Sequence, residues 1–402
     1  MRDTGMKLLV CNAGSTSLKF RLFDMPEENT LAVARIERIG SENKGIFHYT
    51  RLSDNNSIDL KDITIAGYSD GINYFLRYLL GGEYGVLTNN AEIECVGFKT
   101  VLAKGYYGVH ELTEPVMDAM REYTVVAPAH NRPYIEVIKL IEKLMPQARR
   151  VGVFETNFHR TIPLARKLYG VPYEWYEKYG FQRLGYHGAS HTFVSQEIAT
   201  REGGTGRLIS CHLGGSGSIC AIENGKSVDT SFGFSLQTGL IHANRTGDCD
   251  PYVFPLMERF GLTEEEVMAG LTKHGGLLGI SGVSNDLRDI EKAANEGNER
   301  AQLAIDVFCS GIIKFVGSFY IELGGLDHLV FTGGIGENSA LIRKKVCEAL
   351  SVIGVKLDPT HNEGNADKYL ISAPTSSVKV HCVATNEELV VARQSYQIIS
   401  RS

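Results

Sequence analysis

A turn of small polar residues near the start of the chain has the chemistry to bind phosphate. Residues 6–24 read MKLLVCNAGSTSLKFRLFD, in which an apolar run leads into N-A-G-S-T-S and a second apolar run follows. Such a turn exposes backbone N–H groups and hydroxyls, which suit phosphate oxygens. Lys19, just behind the turn, adds the positive charge that a phosphate needs. We interpret this segment as a phosphate-binding hairpin, although a plain hairpin would have a similar sequence.

The same pattern recurs in the second half of the chain. Residues 208–222 read LISCHLGGSGSICAI, so that Cys211 corresponds to Cys11 and Gly214 corresponds to Gly14. The recurrence of strand, small-residue turn and strand predicts a duplicated α/β domain. Two such turns facing each other across a cleft would form a nucleotide site.

Short apolar runs alternate with helical patterns along the chain. This alternation indicates an α/β fold. The predicted strands are 93–96, 150–154, 208–211, 219–222, 329–331 and 379–383, and the predicted helices are 135–144, 192–201, 263–272, 288–296, 300–323, 340–350 and 386–399.

Composition excludes several classes of protein. A chain of 402 residues predicts two or three domains. The net charge of −6 argues against nucleic-acid binding, which needs a basic surface. No apolar run approaches the ~20 residues of a membrane helix, so we expect no membrane association and a cytoplasmic location. The eight cysteines form no C-x-x-C pair, and we expect buried thiols in a reducing compartment.

Two further polar segments follow predicted strands or loops. T-G-G-I-G-E-N (332–338) lies between a strand and a helix, where glycines let a ligand approach the backbone. It is not G-x-G-x-x-G, and a structural turn is the alternative. S-N-D-L-R-D (284–289) is a capped helix start that carries an arginine. Arg245, in N-R-T-G-D, could clamp a transferring phosphoryl group or could be a solvated surface arginine.

Histidine and glutamate residues supply candidate catalytic groups. His187 is flanked by glycines in G-Y-H-G, unlike a core histidine, and His191 follows one helical turn later. A zinc site would need a third ligand, which the neighbouring sequence lacks. Glu155 ends a predicted strand, where catalytic carboxylates of α/β enzymes often lie. Glu387 is either a metal ligand or a carboxylate that favours a helix start.

Together these segments resemble the acetate kinase family of the sugar kinase–Hsp70–actin superfamily. The resemblance runs from about residue 6 to the C-terminus and rests on collinear segments: N-A-G-S-T-S-L-K, A-P-A-H-N, G-Y-H-G-A-S-H, C-H-L-G, V-S-N-D-L-R-D, G-G-I-G-E-N and T-N-E-E. It implies duplicated ribonuclease H-like domains of the actin/hexokinase type with a central interdomain cleft. The first domain would comprise 1–155 and 388–402, and the nucleotide-binding domain 156–387. A homodimer is also implied.

The resemblance implies a reaction and a set of site residues. Members of the family transfer the γ-phosphoryl group of ATP reversibly to a short-chain carboxylate with Mg²⁺, giving an acyl phosphate and ADP. By position, the implied catalytic residues are His130, Glu155, His187 and Arg245, and the implied metal site is Asn12 and Glu387. The implied phosphate and nucleotide residues are Ser15, Ser17, Lys19, His212, Leu213, Gly214, Gly215, Ser216, Asp286, Leu287, Arg288, Gly334, Ile335, Gly336, Glu337 and Asn338.

The acid side departs from the family pattern. The implied substrate residues are Lys99, Val101, Ala129, Tyr186 and Leu236. Lys99 replaces an arginine that binds the carboxylate, and it lacks the bidentate fork of a guanidinium. Glu155 replaces an aspartate, Ala129 a leucine and Leu236 a proline. The segment H-L-G-N-G of the family reads here as H-L-G-G-S, at 212–216.

The retained phosphate and metal residues decide between the possible functions. An inactive relative would lose such residues first, so we expect an active ATP-dependent kinase with an altered acid pocket. The alternative is a catalytically weak or inactive nucleotide-binding member with a sensing or assembly role. A sugar or glycerol-type kinase is disfavoured because the resemblance extends beyond the phosphate turns. A pyrophosphate-using enzyme is disfavoured because G-G-I-G-E-N is intact.

Overall fold

The structure, a computed structural model, describes residues 5–363 and 369–401. The strands in these ranges form two separate sheets. They are β1 (Met6–Gly14), β2 (Ser17–Met25), β3 (Asn29–Glu37), β4 (Gly45–Arg51), β5 (Asn56–Ile63), β6 (Ile93–Thr100), β7 (Val109–Glu111), β8 (Arg149–Phe154), β9 (Arg207–His212), β10 (Ser218–Glu223), β11 (Lys226–Thr230), β12 (His328–Thr332) and β13 (Lys379–Cys382).

Helices connect and cover these strands. They are α1 (Tyr68–Leu79), α2 (Glu114–Glu122), α3 (Pro128–Leu144), α4 (Leu164–Lys167), α5 (Tyr173–Tyr179), α6 (Gly188–Glu202), α7 (Val253–Arg259), α8 (Glu264–Thr272), α9 (Gly276–Ser281), α10 (Leu287–Asn295), α11 (Glu299–Glu322), α12 (Gly333–Asn338), α13 (Ala340–Ala349), α14 (Pro359–Asn362) and α15 (Glu387–Ser400).

The first compact unit comprises the chain up to Asn157 and from Asn386 onward. Its sheet has the order β5-β4-β3-β2-β1-β6-β8-β7. Strands β1 to β5 pair antiparallel in sequence, whereas β1, β6 and β8 run parallel. Helix α15 packs on the side of β1 that carries Leu8 and Val10. On the other side of the sheet, Phe75 of α1 stacks on Phe20 at 4.4 Å between ring centroids.

The second compact unit comprises Phe158–Thr385. Its sheet has the order β11-β10-β9-β12-β13, with β9, β10 and β11 antiparallel and β9, β12 and β13 parallel. Helix α6 packs on one side of the sheet, against Leu208, and α11 packs on the other, against Ile209.

The two sheets share one strand pattern. The order β3-β2-β1-β6-β8 in the first unit corresponds to β11-β10-β9-β12-β13 in the second, with the same parallel and antiparallel pairs. Mixed α/β units with a repeated pattern confirm the duplicated α/β fold expected from the sequence.

Helix α11 corrects the expectation that no apolar run is long enough to cross a membrane. Its 24 residues include an 18-residue window with a mean hydropathy of 1.6, so its length and composition alone would allow a membrane span. Ile305, Phe308, Ile312 and Val316 are buried in the core of the second unit. The helix is apolar because it forms the centre of that core.

Two smaller expectations also differ from the structure. Cys249 is exposed, whereas the other seven cysteines are buried thiols as expected. Burial raises the pKa of the Cys95 and Cys309 thiols to about 12, which keeps them protonated. The first unit also includes residues 156–157 and 386–387, which the sequence expectation assigned to the nucleotide-binding domain.

Candidate functional site

The first unit carries the predicted phosphate hairpin between β1 and β2. Gly14 pairs with Ser17, so Ser15 and Thr16 form a two-residue turn. The Tyr68 hydroxyl donates to the carbonyl oxygens of Gly14 and Ser15 at 2.7 and 3.0 Å, which fixes the turn. Ser15 is exposed at its tip and Ser17 is half-buried. The turn therefore presents small polar groups to a ligand, as its sequence predicts.

Asn12 and Lys19 lie directly opposite each other in this hairpin. Directly opposed residues share one face of a sheet, so the amide and the ammonium lie side by side. The buried Tyr134 of α3 donates its hydroxyl proton to Asn12 Oδ1 at 2.8 Å. Burial raises the pKa of Tyr134, so the phenol stays protonated as a donor. Sequence reasoning missed this tyrosine.

Lys99 lies between the carboxylates of Glu155 and Glu387. Its ammonium donates to Glu387 Oε2 and lies 3.7 Å from Glu155 Oε1. Burial of Lys99 disfavours its charge, but the two carboxylates more than compensate and raise its pKa above the ordinary value. The structure thus brings together three residues that the sequence assigned to acid binding, catalysis and metal binding.

Neighbouring strands and one helix position this trio. Lys99 pairs with Val153 across β6 and β8, and Glu155 follows the end of β8. Glu387 is the first residue of α15, which approaches β6 closely at Gly97. A Cβ at Gly97 would lie 2.5 Å from Ser395 Oγ of α15, so glycine is needed for this contact. Gly97 therefore allows α15, the helix that carries Glu387, to pack closely against β6.

The donor set around Lys99 fits magnesium as the family uses it. Mg²⁺ prefers oxygen ligands and is usually held by one or two carboxylates together with substrate phosphates. Glu155 and Glu387 already approach one cation, the Lys99 ammonium, and Asn12 adds an amide oxygen in the same unit. No cluster of three or more His, Cys, Asp or Glu side chains with metal-site geometry occurs in the described ranges. The residues suit a metal that arrives with phosphate rather than a closed protein cage.

The remaining predicted residues of this unit surround the start of α3. Val101 is buried, whereas Ala129 and His130 are exposed in the first turn of the helix. The buried Asn131 donates to the carbonyl oxygens of Leu102 and Met120, at 2.9 and 2.8 Å. Asn131 therefore ties the segment after β6 to the helix that carries Ala129 and His130.

In the second unit, His187 has a left-handed backbone conformation at the start of α6. Its φ of 57° is uncommon for a residue other than glycine, and such strain concentrates at functional sites. His187 Nδ1 lies 2.9 Å from Ser218 Oγ. Ser218 Oγ also contacts Nε2 of His191 at 2.8 Å, and His191 Nδ1 contacts Ser210 Oγ at 2.9 Å. The Ser218 hydroxyl therefore links the two histidine rings by hydrogen bonds, in place of the shared metal considered from the sequence.

This chain of hydrogen bonds fixes the His187 ring in either protonation state. Burial lowers the pKa of His191 well below its usual range, so the ring is neutral and carries one N–H. The Ser218 hydroxyl donates to one histidine and accepts from the other. If every hydrogen bond in this series reverses its donor and acceptor, Ser218 changes from accepting a hydrogen bond from the His187 ring to donating one to it. His212 stacks near His187, with ring centroids 4.2 Å apart, and contacts Ser190 at 2.8 Å.

Arg245 is a half-buried cation. Its Nη1 donates to the Leu236 carbonyl oxygen at 2.5 Å, and burial lowers its pKa to about 10. Within the ranges that the structure describes, no carboxylate forms an ion pair with Arg245. A desolvated guanidinium of this kind attracts an anionic ligand.

Two residues predicted to bind the acid, Leu236 and Tyr186, contact the segment ahead of Arg245 or the arginine itself. Leu236 is buried and orients Arg245 through its backbone carbonyl. The Tyr186 ring is buried as well, and its hydroxyl donates to the Phe234 carbonyl oxygen. Both residues thus shape the segment ahead of Arg245, a contribution that sequence reasoning did not anticipate.

A cavity of about 700 Å³ in the second unit is lined by half of the predicted phosphate and nucleotide residues. Its volume suits a drug-sized ligand or nucleotide. Predicted residues in its lining are Gly214, Gly215, Asp286, Leu287, Arg288, Gly334, Ile335 and Asn338. Ala243, Asn285, Glu291 and Ser339 also line it and were not predicted. Asp286 caps α10 by accepting from Arg288 N at 2.9 Å, so the motif also fixes the helix start.

Two glycine-containing loops are joined under this cavity. The Leu213 carbonyl oxygen accepts hydrogen bonds from Ile335 N at 2.8 Å and Gly336 N at 3.1 Å. Gly333 has a φ of 76°, and a Cβ there would lie 2.7 Å from that same oxygen. Only glycine therefore allows the two loops to approach so closely. Segment 333–338, expected to lie between a strand and a helix, is itself the short helix α12.

Eight of the predicted phosphate and nucleotide residues do not line the cavity. Three of them lie in the first unit, namely Ser15, Ser17 and Lys19, and the other five are His212, Leu213, Ser216, Gly336 and Glu337. Leu213 and Gly336 form the loop contact described above. Glu337 Oε1 accepts from Gly333 N at 3.0 Å, so its carboxylate holds the backbone of α12. Leu213, Gly336 and Glu337 thus support the cavity lining from behind.

Arg343 of α13 is a positioning residue that sequence reasoning missed. It is almost fully buried and donates through Nη1 to the carbonyl oxygens of Gly336 and Glu337, both at 2.8 Å. Its Nε donates to Asn362 Oδ1 at 2.8 Å. The end of α12 is thereby fixed to α13 and α14. In the sequence Arg343 opens the basic run R-K-K, which gives no sign that Arg343 is buried while Lys344 is exposed.

Sequence comparison identifies relatives along nearly the whole chain. Residues 7–393 match the model of the Acetokinase family. An acetate kinase of Carboxydothermus hydrogenoformans is 40% identical over 399 residues, which cover 98% of this chain and 99% of that protein. An acetate kinase of a Geobacillus species is 42% identical over 393 residues, covering 96% of this chain and 97% of that protein.

Solved structures give the same result. The acetate kinase of Porphyromonas gingivalis superposes with a TM-score of 0.86 at 37% identity, covering 98% of this chain and 100% of that one. A propionate kinase of Francisella tularensis superposes with a TM-score of 0.89 at 32% identity, covering 98% and 99%. The chain therefore belongs to the acetokinase family, whose enzymes are phosphotransferases with a carboxyl group as acceptor.

Proposed function

We propose that this chain transfers a phosphoryl group reversibly between ATP and a short-chain carboxylate, forming an acyl phosphate and ADP. Arg245 carries the proposal, because it is a desolvated cation with no carboxylate paired to it in the described ranges. Phosphoryl transfer depends mainly on positioning and on neutralising charge spread over the transferred group. Membership in the acetokinase family supplies the reaction class.

The second unit supplies nucleotide binding and charge stabilisation in this proposal. The cavity lined by Gly214, Asp286 and Gly334 accommodates the adenosine part of the nucleotide. His187 and Arg245 stabilise the phosphoryl group in the transition state. Ser218 supports that task by fixing the His187 ring. A histidine ring and a guanidinium group that are already fixed in position stabilise developing charge without reorganising during the reaction.

The first unit supplies phosphate and metal contacts. Ser15, Ser17 and Lys19 on the hairpin bind phosphate oxygens, and Asn12 and Glu387 hold the metal with Glu155 close by. When bound, Mg²⁺ neutralises phosphate charge. We propose that His130, in the first turn of α3, assists at the phosphoryl group.

The acid pocket is altered relative to the family pattern. Lys99 offers the acid carboxylate a point charge in place of a bidentate fork. Ala129 is smaller than the leucine of the family, whereas Leu236 replaces a proline. We propose that Val101 and Tyr186 also contact the acid. The residues assigned to acid binding thus differ from the family in size and in charge geometry together, which supports a substrate preference distinct from that of an ordinary acetate kinase.

An acceptor screen tests the proposed function. Purified protein is incubated with ATP, Mg²⁺ and a panel of short-chain carboxylic acids, and acyl phosphate is trapped as the hydroxamate. We expect turnover with at least one acid, and loss of more than about 99% of it in Arg245→Gln, because transition-state contacts contribute several kcal/mol. Arg77→Gln, which changes an exposed arginine of α1, serves as the matched control. Failure of every acid to react, despite measurable ATP binding, would reject the proposal.

A second candidate function is nucleotide binding without efficient catalysis. The pairing of Lys99 with both Glu155 and Glu387 favours it, because a lysine held by two carboxylates is less available to a substrate. The double variant Lys99→Arg/Glu155→Asp restores the family residues. A gain of acetate turnover in that variant would show that only the acid side has changed, whereas no gain would favour a sensing or assembly role.

We further propose that the protein is a cytoplasmic homodimer. Exposed apolar side chains on and beside α7 support an interface, since Tyr252 is 77% exposed, Phe260 is 70% exposed and Leu256 lies between them. The net charge of −6 supports a small-molecule substrate rather than nucleic acid.

A further inference from the structure

Lys99 and a divalent cation have the same two carboxylates available to them. The ammonium donates to Glu387 Oε2 and lies 3.7 Å from Glu155 Oε1, and all three side chains are largely buried. Among these three side chains, one positive charge faces two negative ones. A carboxylate substrate approaching Lys99 would therefore meet two carboxylates that already hold the ammonium.

We propose that the divalent cation displaces Lys99 from Glu387 and Glu155 and thereby releases the ammonium to bind the acid. This inference rests on the proposed function, since it assigns a binding order to the same site. The cation must bind before the acid, because only then does the local charge become favourable for a second carboxylate. Without the cation, Lys99 is paired with the two carboxylates. With the cation bound, Lys99 binds the acid.

The residue type is what makes this exchange feasible. A lysine side chain is a flexible four-carbon stem with a compact charge, so its end swings between partners without a fixed fork geometry. Glu155, one methylene longer than the aspartate of the family, reaches toward the same ammonium. The two replacements, Lys99 and Glu155, therefore act together. The Tyr134 hydroxyl donates its proton to Asn12 Oδ1.

Binding of Mn²⁺ without nucleotide tests the exchange directly. Titration is followed by water proton relaxation, so no turnover is needed. We expect Lys99→Met to bind Mn²⁺ at least about tenfold more tightly than the unchanged protein, because the competing charge is gone. Lys99→Arg keeps the charge and is expected to bind within about threefold of the unchanged protein. Lys104→Met removes a lysine charge at an exposed ion pair and is the matched control.

Several results would overturn the proposal. They are equal Mn²⁺ affinity in Lys99→Met and the unchanged protein, weaker affinity in Lys99→Met, or no binding by either. Since Mn²⁺ binding is measured without acid or ATP, a failed acceptor screen and a failed exchange are separate results.

A second measurement uses the unchanged protein and does not depend on the folding of Lys99→Met. The ¹H–¹⁵N signal of the Lys99 ammonium is assigned by its loss in Lys99→Arg and is followed as Mg²⁺ is added. Displacement predicts a shift of this signal, while the Lys104 signal stays in place. A Lys99 signal unaffected by saturating Mg²⁺ would contradict displacement.

Discussion

At the scale of single residues, the His187 environment explains how a strained histidine keeps one orientation. His187 has a left-handed backbone at the start of α6, and the Ser218 hydroxyl is hydrogen-bonded to its Nδ1. His191, buried and neutral, holds Ser218 from behind. The sequence predicted His187 from its flanking glycines. The sequence could not reveal the role of Ser218, because this serine lies on β10, far from His187 along the chain.

Removal of the Ser218 hydroxyl tests this positioning role. We expect Ser218→Ala to lower kcat by about tenfold, corresponding to one hydrogen bond of about 1.4 kcal/mol, with little change in the KM for ATP. Steady-state kinetics with ATP varied measures both constants. Ser195→Ala, a buried serine of α6, is the control. A change confined to KM would show that Ser218 acts in ground-state binding.

At the scale of elements, α12 depends on contacts from outside the helix. Its six residues are too few to be stable alone, and its ends are fixed by Leu213 on one side and Arg343 on the other. The nucleotide cavity is therefore shaped by α13 as well as by the glycine loops. This dependence gives Arg343 a measurable role in nucleotide binding.

Replacement of Arg343 is expected to loosen α12. Arg343→Met leaves the carbonyl oxygens of Gly336 and Glu337 without their buried donor, at a cost of about 1–3 kcal/mol for each unsatisfied group. We expect a lower thermal midpoint and an ADP dissociation constant raised about tenfold, measured by calorimetry. Lys344→Met, an exposed neighbour on α13, should change neither. Unaltered ADP affinity in a folded Arg343→Met protein would show that α12 is held by other contacts.

The sequence predicted some elements better than others, for physical reasons. Buried parallel strands such as β6, β8 and β12 are short apolar runs, and they lie where expected. Strands β3 to β5 were missed because they pair antiparallel and alternate between buried and exposed residues. Strand β5 in particular has no buried residue to mark it. Segment 332–338 was expected only to lie between a strand and a helix, with a structural turn as the alternative, whereas residues 333–338 form α12, whose backbone contacts Leu213.

At the scale of the whole molecule, the repeated strand order explains why two phosphate-type turns occur. The first turn joins β1 to β2 and the second joins β9 to β10, which are equivalent strands in the two sheets. Duplication was visible in the sequence because both turns keep their small residues. The position of Lys99 between Glu155 and Glu387 was not visible, since it depends on how β6, β8 and α15 pack.

An acidic pair in the second unit makes stability depend on pH. Burial raises the pKa of Glu322 to about 7, with repulsion from Asp229 adding to it, and burial raises the pKa of Asp229 as well. A raised carboxyl pKa favours the protonated folded state. This contribution is therefore present below pH of about 4.5 and is lost as pH rises through about 7.

The variant Glu322→Gln removes that dependence. We expect its thermal midpoint to exceed that of the unchanged protein at pH 8 by about 2 °C or more, and to exceed it by less at pH 5. Differential scanning calorimetry at both pH values measures the difference. Glu296→Gln, an exposed carboxylate, should show no such trend. A gain that is the same at both pH values would contradict a shared proton.

The exposed apolar side chains beside α7 give a test of assembly. Phe260→Asp places a charge where the proposed dimer buries a ring, so we expect dissociation to monomers at micromolar concentration. Sedimentation velocity reports the mass of the particle. Val352→Asp, at another highly exposed apolar residue, is the control. A monomeric unchanged protein would reject the proposed homodimer.

The most direct test of phosphoryl transfer to a carboxylate is ³¹P NMR of the reaction itself. Purified protein is mixed with ATP, Mg²⁺ and the best acid from the acceptor screen, and the phosphorus signals are followed over time. The account predicts one acyl phosphate formed for each ADP, and loss of both signals in Arg245→Gln. Formation of ADP with inorganic phosphate in place of acyl phosphate from the outset would contradict it.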